Sequence, residues 1–580
     1  MFKQIIIELL TEKTNLHQDE VERLLETPPN LELGDYSFPC FSFADPKNDD
    51  PMWEDVEKDF FIKKNPADIA KHFHDILTKN PLPKQIEKIE TKGPYLNFFI
   101  NKKELAEAIT KINENFGKLK NNKKQKIMTE FCHLNTHKDM HIGHTRNIAL
   151  GESISRLLEF SGNKVIRTNY QGDIGMHVAK SLWGLQNLKK LKLKEPKDNK
   201  GKWLGLVYSA AGKASEENEE TMEEINEINK KLYKRDKKLT SLWKKTRQWS
   251  INYFEKTVYP DFDVKFDRFY FESEVQEKGL KIANKLLKDN IAKMSKGAMI
   301  IDFEKDNLGI FIILKSDKTS LYSTRDLYLA VLQNKEYHPD KIIHIVGSEH
   351  DLYFKQLFKT IEYYDKKIAE KESHLSYALV NSPTGKLKSR DDHGKKILYD
   401  DTIKKLINLA IKGMKDRKVK LSEKELNKRA RTIALGAVKY QMLSQSPNRV
   451  IIFDEKQIMS FEGNTGPYLQ YSYARASSII KKAKQVKHKV KIPNLTKSEI
   501  ALMSEMIKFP HIIKKAEQQL NPALIANYSY DLAKLFNEFY HSNKVIGSEE
   551  ELFRLRLIES FRHTIKNSLS LLGIDVLEEM

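Results

Sequence analysis

The stretch KIMTEFCHLNTHKDMHIGHTRN, residues 126–147, decides the fold of this chain. It opens with a short apolar run that suits a buried strand, and a polar loop follows. A helix is predicted over 143–161 because apolar residues recur on one face, and Gly162 stands in the usual position after a helix end. A second strand is predicted at 164–168. Strand, loop, helix and strand in this order indicate a parallel βαβ unit.

Three further apolar runs, at 297–302, 309–314 and 341–346, extend the predicted sheet, with helical periodicity between the last two. From about residue 188 the chain is charged and poor in apolar residues. This composition favours long, solvated helices inserted between the two halves of the sheet. The simplest architecture is an α/β fold, in which a Rossmann-like, doubly wound parallel sheet is interrupted by a helical insertion.

The chain divides into three predicted units. Residues 1–115 combine helical periodicity with two strands joined by a Gly-Pro pair, which predicts an N-terminal α+β domain. The Rossmann-like domain follows over 116–420 and carries the helical insertion around 188–295. Residues 421–580 have few strand signals and strong helical periodicity, so they predict an all-α helical bundle.

The composition limits the classes of function. The chain has 580 residues, 99 Lys and Arg against 80 Asp and Glu, and a formal net charge of +19. This excess favours a polyanionic partner, although a lysine-rich solvated surface explains it equally well. Two cysteines cannot build a disulfide framework or a thiolate zinc cluster. No apolar run reaches the roughly 18 residues of a membrane helix, so we expect a cytoplasmic protein that does not span a membrane.

Four histidines lie within twelve residues of the polar loop, namely His133, His137, His141 and His144. Their spacing allows a metal site on one side of a helix, as in a metal-dependent hydrolase. Such ligands need a rigid helix and usually carboxylate or cysteine company, whereas the Asn, Thr, Asp and Gly residues here predict a loop. The sequence therefore favours a different chemistry.

Phosphate chemistry at a helix N-terminus fits the same residues. His141 and His144 are three residues apart, so both imidazoles can address one point at the first helical turn. Gly143 leaves room for a base or a ribose to approach the backbone. Two imidazole donors and the helix dipole would stabilise the negative charge that develops when an α-phosphate is attacked.

The tetrad His141-Ile142-Gly143-His144, after a strand and at the start of a helix, resembles the HIGH signature of class I aminoacyl-tRNA synthetases. The residues ahead of it narrow the resemblance to the arginyl-tRNA synthetase family. Further segments resemble that family, in the right order along nearly the whole chain: LELGDYSF, GPYLNFF, RTNYQGDIGMHVAKSL, LYSTRDLYLAVL, GSEHDLYFKQLF, NTGPYLQYSYARASSI and LLGIDVLEEM.

The resemblance implies ATP-dependent ligation of L-arginine to tRNA(Arg) through an arginyl-adenylate. It also implies ATP accompanied by Mg²⁺, no zinc, and arginine activation that can require bound tRNA. The implied catalytic residues are His141, His144 and Lys138. The implied ATP-binding residues are Gly143, His144, Lys386, Lys388, Ser389 and Arg390.

An arginine pocket needs carboxylates in the plane of the guanidinium, because that group is always charged and offers five fixed donors. Glu130 and Asp326 stand where the family places them, and Tyr322 lies one helical turn before Asp326. An N-cap or surface ion pair for Asp326 and a core position for Tyr322 are the structural alternatives. His350 replaces the Gln that the family commonly has. The implied arginine-binding residues are Glu130, Asn135, His141, Tyr322, Asp326 and His350.

The second class I signature is a mobile loop whose lysine meets the ATP phosphates, and residues 384–394 resemble it in a degenerate form. The resemblance implies that Lys138 compensates for the altered loop. A closer literal match at 293–296 precedes the middle strands, so we interpret it as a coincidence. An exposed charged turn is the alternative interpretation of Lys386 to Arg390.

The domains 1–115 and 421–580 are implied to contact tRNA, the second of them at the anticodon. Aromatic residues three apart beside an arginine suit single-stranded RNA, which is bound by stacking and by cations on phosphates. Helix packing explains Tyr468 and Tyr471 equally well. We expect a monomer. The implied tRNA-binding residues are Asn97, Tyr468, Tyr471 and Arg475.

Two alternatives stay open, a class I synthetase for another amino acid and a non-catalytic tRNA-binding paralogue. A synthetase for another amino acid would need a pocket whose chemistry differs from that of Glu130 and Asp326. A non-catalytic paralogue should have lost His141, Gly143 and His144. A pocket with two carboxylates can reject neutral ligands by roughly 10⁴ to 10⁵ without proofreading. The polar insertion shows no second set of strands, so no editing site is predicted.

Overall fold

The computed structural model places a parallel sheet at the centre of the chain, with a small α+β unit before it and helices after it. The structure describes residues 2–14, 16–44, 65–119, 124–316, 321–383, 385–386, 397–416, 421–483 and 490–580. The strands are β1 (Tyr36–Pro39), β2 (Ile86–Lys92), β3 (Tyr95–Ile100), β4 (Lys126–Glu130), β5 (Lys164–Gln171), β6 (Arg268–Phe271), β7 (Lys293–Ser295), β8 (Ala298–Phe303), β9 (Gly309–Leu314), β10 (Lys341–Gly347), β11 (Glu372–Tyr377), β12 (Val380–Ser382), β13 (Gly385–Lys386) and β14 (Ile451–Ile452).

The helices are numbered in the same way. They are α1 (Phe2–Thr14), α2 (Gln18–Leu24), α3 (Pro66–Thr78), α4 (Lys102–Ile109), α5 (His144–Phe160), α6 (Met176–Gln186), α7 (Lys200–Glu217), α8 (Glu219–Tyr233), α9 (Lys237–Tyr253), α10 (Tyr259–Phe262), α11 (Glu272–Lys288), α12 (Tyr322–Tyr337), α13 (Asp351–Tyr364), α14 (Lys366–Ala369), α15 (Tyr399–Asp416), α16 (Glu423–Leu443), α17 (Glu455–Ile458), α18 (Gly466–Lys482), α19 (Lys497–Met506), α20 (Phe509–Gln518), α21 (Ala523–Ser542) and α22 (Glu551–Leu571). No described helix is long and apolar enough to cross a membrane.

The central sheet has the strand order β11-β10-β4-β5-β6 among the described residues, and each neighbouring pair is parallel. The predicted βαβ unit is confirmed as β4, α5 and β5, and Gly162 follows the end of α5 with a φ of 91°. From β4 the chain continues to β5 and β6 on one side, and β10 and β11 lie on the other. This reversal beside β4 creates the crevice at the carboxyl ends of the strands where open α/β sheets bind ligands.

The apolar runs at 297–302 and 309–314 do not join this sheet, so that part of the predicted architecture was wrong. They form β8 and β9, which pair antiparallel with each other and with β7 in a separate sheet. One face of β9 is solvated, because Ile310 and Ile312 are about half exposed, while Phe311 and Ile313 are buried. A short apolar run does not distinguish such a strand from one in a parallel sheet. The literal signature match at 293–296 contains β7.

The helical insertion has a core of its own and is not a solvated arm. Helices α6 to α9 enclose Trp183, Ile225, Leu232 and Trp243, all buried. The predicted limits of 188–295 were also too wide, since β6 returns to the central sheet at residue 268. A four-residue strand is too short for its periodicity to stand out in the sequence.

The N-terminal unit pairs its strands antiparallel in the order β1-β3-β2, and β1 was not predicted. Its α3 begins after Asn65, whose side chain accepts a hydrogen bond from the Ala67 backbone N–H, as the Asn-Pro entry predicts. The C-terminal unit is helical, as expected, apart from the two-residue strand β14, which pairs with β12. Arg146 of α5 is fully buried, and its guanidinium donates to the carbonyl oxygens of Met442, in the last turn of α16, and Ser446, just beyond that helix. This contact fixes α5 against the helical unit.

The packing of α5 against β4 yields a stability prediction. A Cβ on Gly151 would lie 2.1 Å from Cγ of Phe131, which is itself fully buried. We expect Gly151→Ala to destabilise the chain by about 1–3 kcal/mol through overpacking. Thermal unfolding followed by circular dichroism measures the effect.

The matched control is Gly212→Ala in α7, where an added Cβ meets nothing within 4 Å. This change should leave the melting temperature unchanged or raise it, because alanine loses less backbone entropy than glycine in a helix. A Gly151→Ala protein that melts at or above the wild-type temperature would contradict the packing described for α5.

Candidate active site

The loop that leaves β4 is held by two asparagine side chains. Cys132 and His133 both have left-handed backbone angles, with φ of 83° and 49°. The backbone N–H of Cys132 donates to Oδ1 of Asn147, and that of His133 donates to Oδ1 of Asn169 at 3.1 Å. Nδ2 of Asn147 in turn donates to the carbonyl oxygen of Ile345 at 2.7 Å. The loop is therefore fixed from α5, β5 and β10 together.

The two histidines of the tetrad stack at the start of α5. Their ring centroids are 3.8 Å apart, with an angle of 32° between the planes. Nδ1 of His144 lies 3.1 Å from the backbone nitrogen of His141 and 3.3 Å from the carbonyl oxygen of the same residue. Burial lowers the pKa of His144 to about 3. A Cβ on Gly143 would lie 3.0 Å from Nδ1 of His141, so this glycine also makes room for the stacked pair.

A small cavity of about 150 Å³ lies beside the stacked pair. Lys138 and Asp139 line it together with Tyr208, which comes from the helical insertion. Nζ of Lys138 lies 5.5 Å from the centroid of the Tyr208 ring, and Oδ2 of Asp139 accepts a hydrogen bond from Ser209 at 3.2 Å. Sequence reasoning missed Tyr208, because only the folded insertion brings α7 next to this loop.

A larger cavity of about 490 Å³ adjoins the small one and shares Asn135 and His144 with it. The structure gathers most of the predicted arginine-binding residues here, whereas His141 lines only the small cavity. From the predicted set, the larger cavity is lined by Glu130, Asn135, Tyr322, Asp326 and His350.

Asp326, which lines this cavity, has one buried oxygen that is unpaired among the described residues. It lies in the second turn of α12, so it is not an N-cap, and Tyr353 donates to its Oδ2 at 2.5 Å. Its Oδ1 is buried without a hydrogen-bond partner among the described residues. Burial raises the pKa of Asp326 to about 6. Tyr322 is half exposed at the mouth, with its ring 5.1 Å from that of Tyr353, so it is not a core residue.

Glu130 is already engaged at the floor of the cavity. His344 contacts its Oε1 through Nδ1 at 2.9 Å, and Gln333 donates to its Oε2. Through Nε2, His344 also contacts Oε2 of Glu372 at 2.6 Å. Burial opposes the ionisation of Glu130, but the charge and hydrogen bond of His344 hold its pKa below the usual value.

Glu272 is a further cavity residue that sequence reasoning missed. It follows β6 directly, and its carboxylate accepts a hydrogen bond from Arg325 at 2.5 Å. Burial raises the pKa of Glu272 to about 7. Its position at the carboxyl end of a parallel strand could have identified it as a cavity residue, but that strand had not been predicted.

The other two histidines of the loop turn away from the tetrad. Nε2 of His137 lies 2.7 Å from Oγ1 of Thr246 in the insertion, and Nδ1 of His133 lies 3.3 Å from the carbonyl oxygen of Tyr170. Within the described part of the chain, no group of three or more His, Cys, Asp and Glu side chains is arranged to hold a metal ion. The four histidines thus do not form the ligand set that their spacing allows.

The second signature loop is described only at its start. Gly385 and Lys386 form β13, which pairs antiparallel with β12. The side chain of Lys386 and the whole of Lys388, Ser389 and Arg390 lie outside the described residues.

The predicted tRNA-binding residues fall into two places. Tyr471 and Arg475 line a groove of about 690 Å³ on the helical unit, and the guanidinium of Arg475 lies 4.8 Å from the Tyr471 ring centroid. Tyr468 is half buried, and its hydroxyl accepts a hydrogen bond from Asn537 at 3.0 Å. Asn97 requires a correction, since its side chain is buried in β3 and accepts a hydrogen bond from Ser37 at 2.7 Å. A side chain buried in a sheet cannot contact RNA.

A parallel sheet whose middle strand leads through a HIGH tetrad into a helix defines the arrangement of class I aminoacyl-tRNA synthetases. Three family models match the chain. They are described as the arginyl tRNA synthetase N terminal domain, over 1–100, the catalytic domain of class I (R) tRNA synthetases, over 106–454, and the DALR anticodon binding domain, over 469–580.

Individual relatives agree with these matches over the full length. The chain is 33% identical over 595 residues to an arginine–tRNA ligase of Clostridium perfringens, with 100% of both chains covered. It is 34% identical over 575 residues to the arginine–tRNA ligase of Treponema denticola, covering 96% of this chain and 94% of the relative. In fold it resembles the arginyl-tRNA synthetase of Thermus thermophilus, with a TM-score of 0.80, 23% identity and 100% of both chains covered. The chain belongs to the arginyl-tRNA synthetase family.

The buried ring of His144 yields a pH prediction. Its pKa of about 3 lies far below the value near 6.5 of an unfolded chain, so the folded state prefers the neutral ring. The free energy of unfolding should therefore be undiminished by this ring above about pH 6.5, and it should decline as the pH falls towards 3. Nitrogen NMR of histidine-labelled protein, assigned with His144→Asn, should show a neutral ring between about pH 5 and 8. A His144 resonance that titrates near neutral pH would contradict this environment.

Proposed function

We propose that the larger cavity binds L-arginine and that the small cavity beside the tetrad binds ATP phosphates. The chain is an arginine–tRNA ligase by family. Arginine carboxylate attacks the α-phosphate of ATP and pyrophosphate leaves. A hydroxyl of the terminal ribose of tRNA then attacks the carbonyl carbon of the adenylate, which forms the ester and releases AMP. No side chain forms a covalent bond in this scheme, so rate enhancement comes from positioning and charge stabilisation.

The single observation that carries the arginine assignment is a pair of buried carboxylate oxygens without hydrogen-bond partners in residues that line the larger cavity. Oδ1 of Asp326 and Oε1 of Glu372 are both buried without hydrogen-bond partners among the described residues. A guanidinium has five donors and no acceptor, so it satisfies such oxygens, whereas a neutral side chain leaves them unpaired. We assign side-chain binding to Glu130 and Asp326, with Tyr322 and His350 at the mouth.

The backbone atoms of arginine belong at the boundary of the two cavities. Asn135 and His144 line both cavities, so an arginine carboxylate there meets the phosphates. An imidazole N–H of the neutral His144 ring, with His141 and Lys138, would stabilise the pentacovalent α-phosphate. Gly143 and the loop residues Lys386, Lys388, Ser389 and Arg390 are assigned to the nucleotide. Mg²⁺ would be held by the phosphates of the nucleotide that brings it.

The proposed domain limits are 1–115, 116–420 and 421–580. The first and the third of these units, which flank the catalytic one, are assigned to tRNA. Lys482, Lys544 and Arg475 line the groove that also contains Tyr471 and Tyr540. Cations beside aromatic rings suit an unpaired RNA loop, and the net charge of +19 favours a polyanion. A monomer remains our expectation. We also expect a cytoplasmic location, because charged tRNA is used where translation takes place.

Charging of total tRNA tests the function directly. Purified chain is incubated with ATP, total tRNA and each amino acid in turn, and we expect an ester with arginine alone. The acid-precipitable amino acid measures the product. Esterification of another amino acid, or none with arginine, would refute the proposal.

The pocket assignment is tested by Asp326→Asn. We expect kcat/KM for arginine to fall at least about tenfold, because a charge-assisted contact to the guanidinium is lost. The KM for ATP should not change. Asp306→Asn, on an exposed turn, is the matched control and should behave like the wild type. Unchanged arginine kinetics in Asp326→Asn would show that the guanidinium binds elsewhere.

A further inference from the structure

We propose that His344 is a positioning residue for arginine, which joins Glu130 and Glu372 into a single clamp with one net negative charge. The inference rests on the proposed function and deepens it. The clamp consists of Glu130 at the end of β4, His344 on β10 and Glu372 at the start of β11. All three residues are among those that line the larger cavity.

The geometry requires a ring that donates from both nitrogens. Nδ1 of His344 lies 2.9 Å from Glu130 and Nε2 lies 2.6 Å from Glu372, and these three side chains are each at most 6% exposed. A neutral imidazole has one N–H, whereas the imidazolium has two. Burial opposes the charged ring, but the two carboxylates raise the pKa of His344 to about 10. The clamp therefore contains two carboxylates and one cation.

The clamp then offers the guanidinium one net negative charge, beside the carboxylate of Asp326 in the same cavity. Without a cation between them, the two buried carboxylates would repel each other, and one would take up a proton. The proton on that carboxyl group would then point at the N–H donors of the ligand, which need an acceptor. The cation of His344 prevents this and leaves Oε1 of Glu372 buried, ionised and without a partner among the described residues.

Neighbouring elements fix the ring and, in the part of the chain that the structure describes, add no competing cation. Phe354 and Phe358 of α13 lie 5.4 and 5.9 Å from the His344 ring centroid. The titratable groups that face the clamp, besides its own members, are His133 after β4, His374 on β11 and Asp326 on α12. Burial lowers the pKa of both His133 and His374, so they are neutral near pH 7.

The experiment compares KM for arginine, KM for ATP and kcat in tRNA charging across pH, for the full chain and its variants. His344→Gln keeps a side-chain donor but cannot carry a charge or bridge two carboxylates. We expect KM for arginine to rise at least about tenfold at pH 7, with KM for ATP within about twofold. KM for arginine should then fall as the pH rises, because the extra proton on the carboxylate pair is lost. Asp326 titrates in the wild type and in His344→Gln alike, so the ratio of their KM values for arginine reports on the clamp alone.

A double variant distinguishes charge matching from general damage. His344→Gln with Glu372→Gln again leaves one carboxylate, so arginine should bind at least roughly threefold better than to His344→Gln alone. The matched control is His374→Gln, whose ring stacks on Phe354 and contacts the carbonyl oxygen of Val346. This control should leave KM for arginine within about twofold of the wild type at every pH.

Each outcome decides for or against the clamp. An unchanged KM for arginine in folded His344→Gln, or a double variant weaker than the single one, would overturn it. If His344→Gln does not fold, Glu372→Gln replaces it, and there an unchanged KM for arginine contradicts the clamp. Wild-type protein that neither binds arginine by calorimetry nor charges tRNA refutes the proposed function as well, which separates that failure from failure of the clamp alone.

Discussion

The amide of Asn147 is the interaction on which the rest of the site depends. It lies one turn after His144 and bonds the left-handed backbone at Cys132, the carbonyl oxygen of Ile345 and the hydroxyl of Tyr377. One side chain thus joins α5, the loop after β4 and the ends of β10 and β11. Buried polar groups of this kind must be satisfied, so the loop has one arrangement in which all these bonds form.

The same crevice separates two electrostatic environments. Beside the tetrad are a neutral histidine ring, a lysine and a helix N-terminus, which favour phosphate. A few side chains away, the larger cavity is lined by Glu130, Asp326, Glu272 and Glu372. A ligand with a cation at one end and a carboxylate at the other can lie across both environments, and this is the form of arginine that reacts with ATP.

Much of this arrangement could be predicted from sequence. The parallel βαβ unit and the helix that begins at the tetrad were correct, because a strand, a polar loop and an amphipathic helix have distinct periods. Helix α12, with Tyr322 and Asp326 one turn apart, also followed from its period. The antiparallel sheet of β7 to β9 did not, because short apolar runs carry no information about their partners. Nor did the core of the insertion, since sparse apolar residues on charged helices become a core only when several helices meet.

The sequence by itself determined the class of fold, the family, and the residues that can carry phosphate and guanidinium chemistry, because these depend on local period and on residue type. The tertiary structure alone decided which partners those residues have. It brought Tyr208 beside Lys138, Glu272 into the cavity, and His344 between Glu130 and Glu372, which are 242 residues apart in sequence. The physical reason is that charge state and hydrogen bonding depend on distance in space, and a parallel sheet makes neighbours of strands that are remote in the chain.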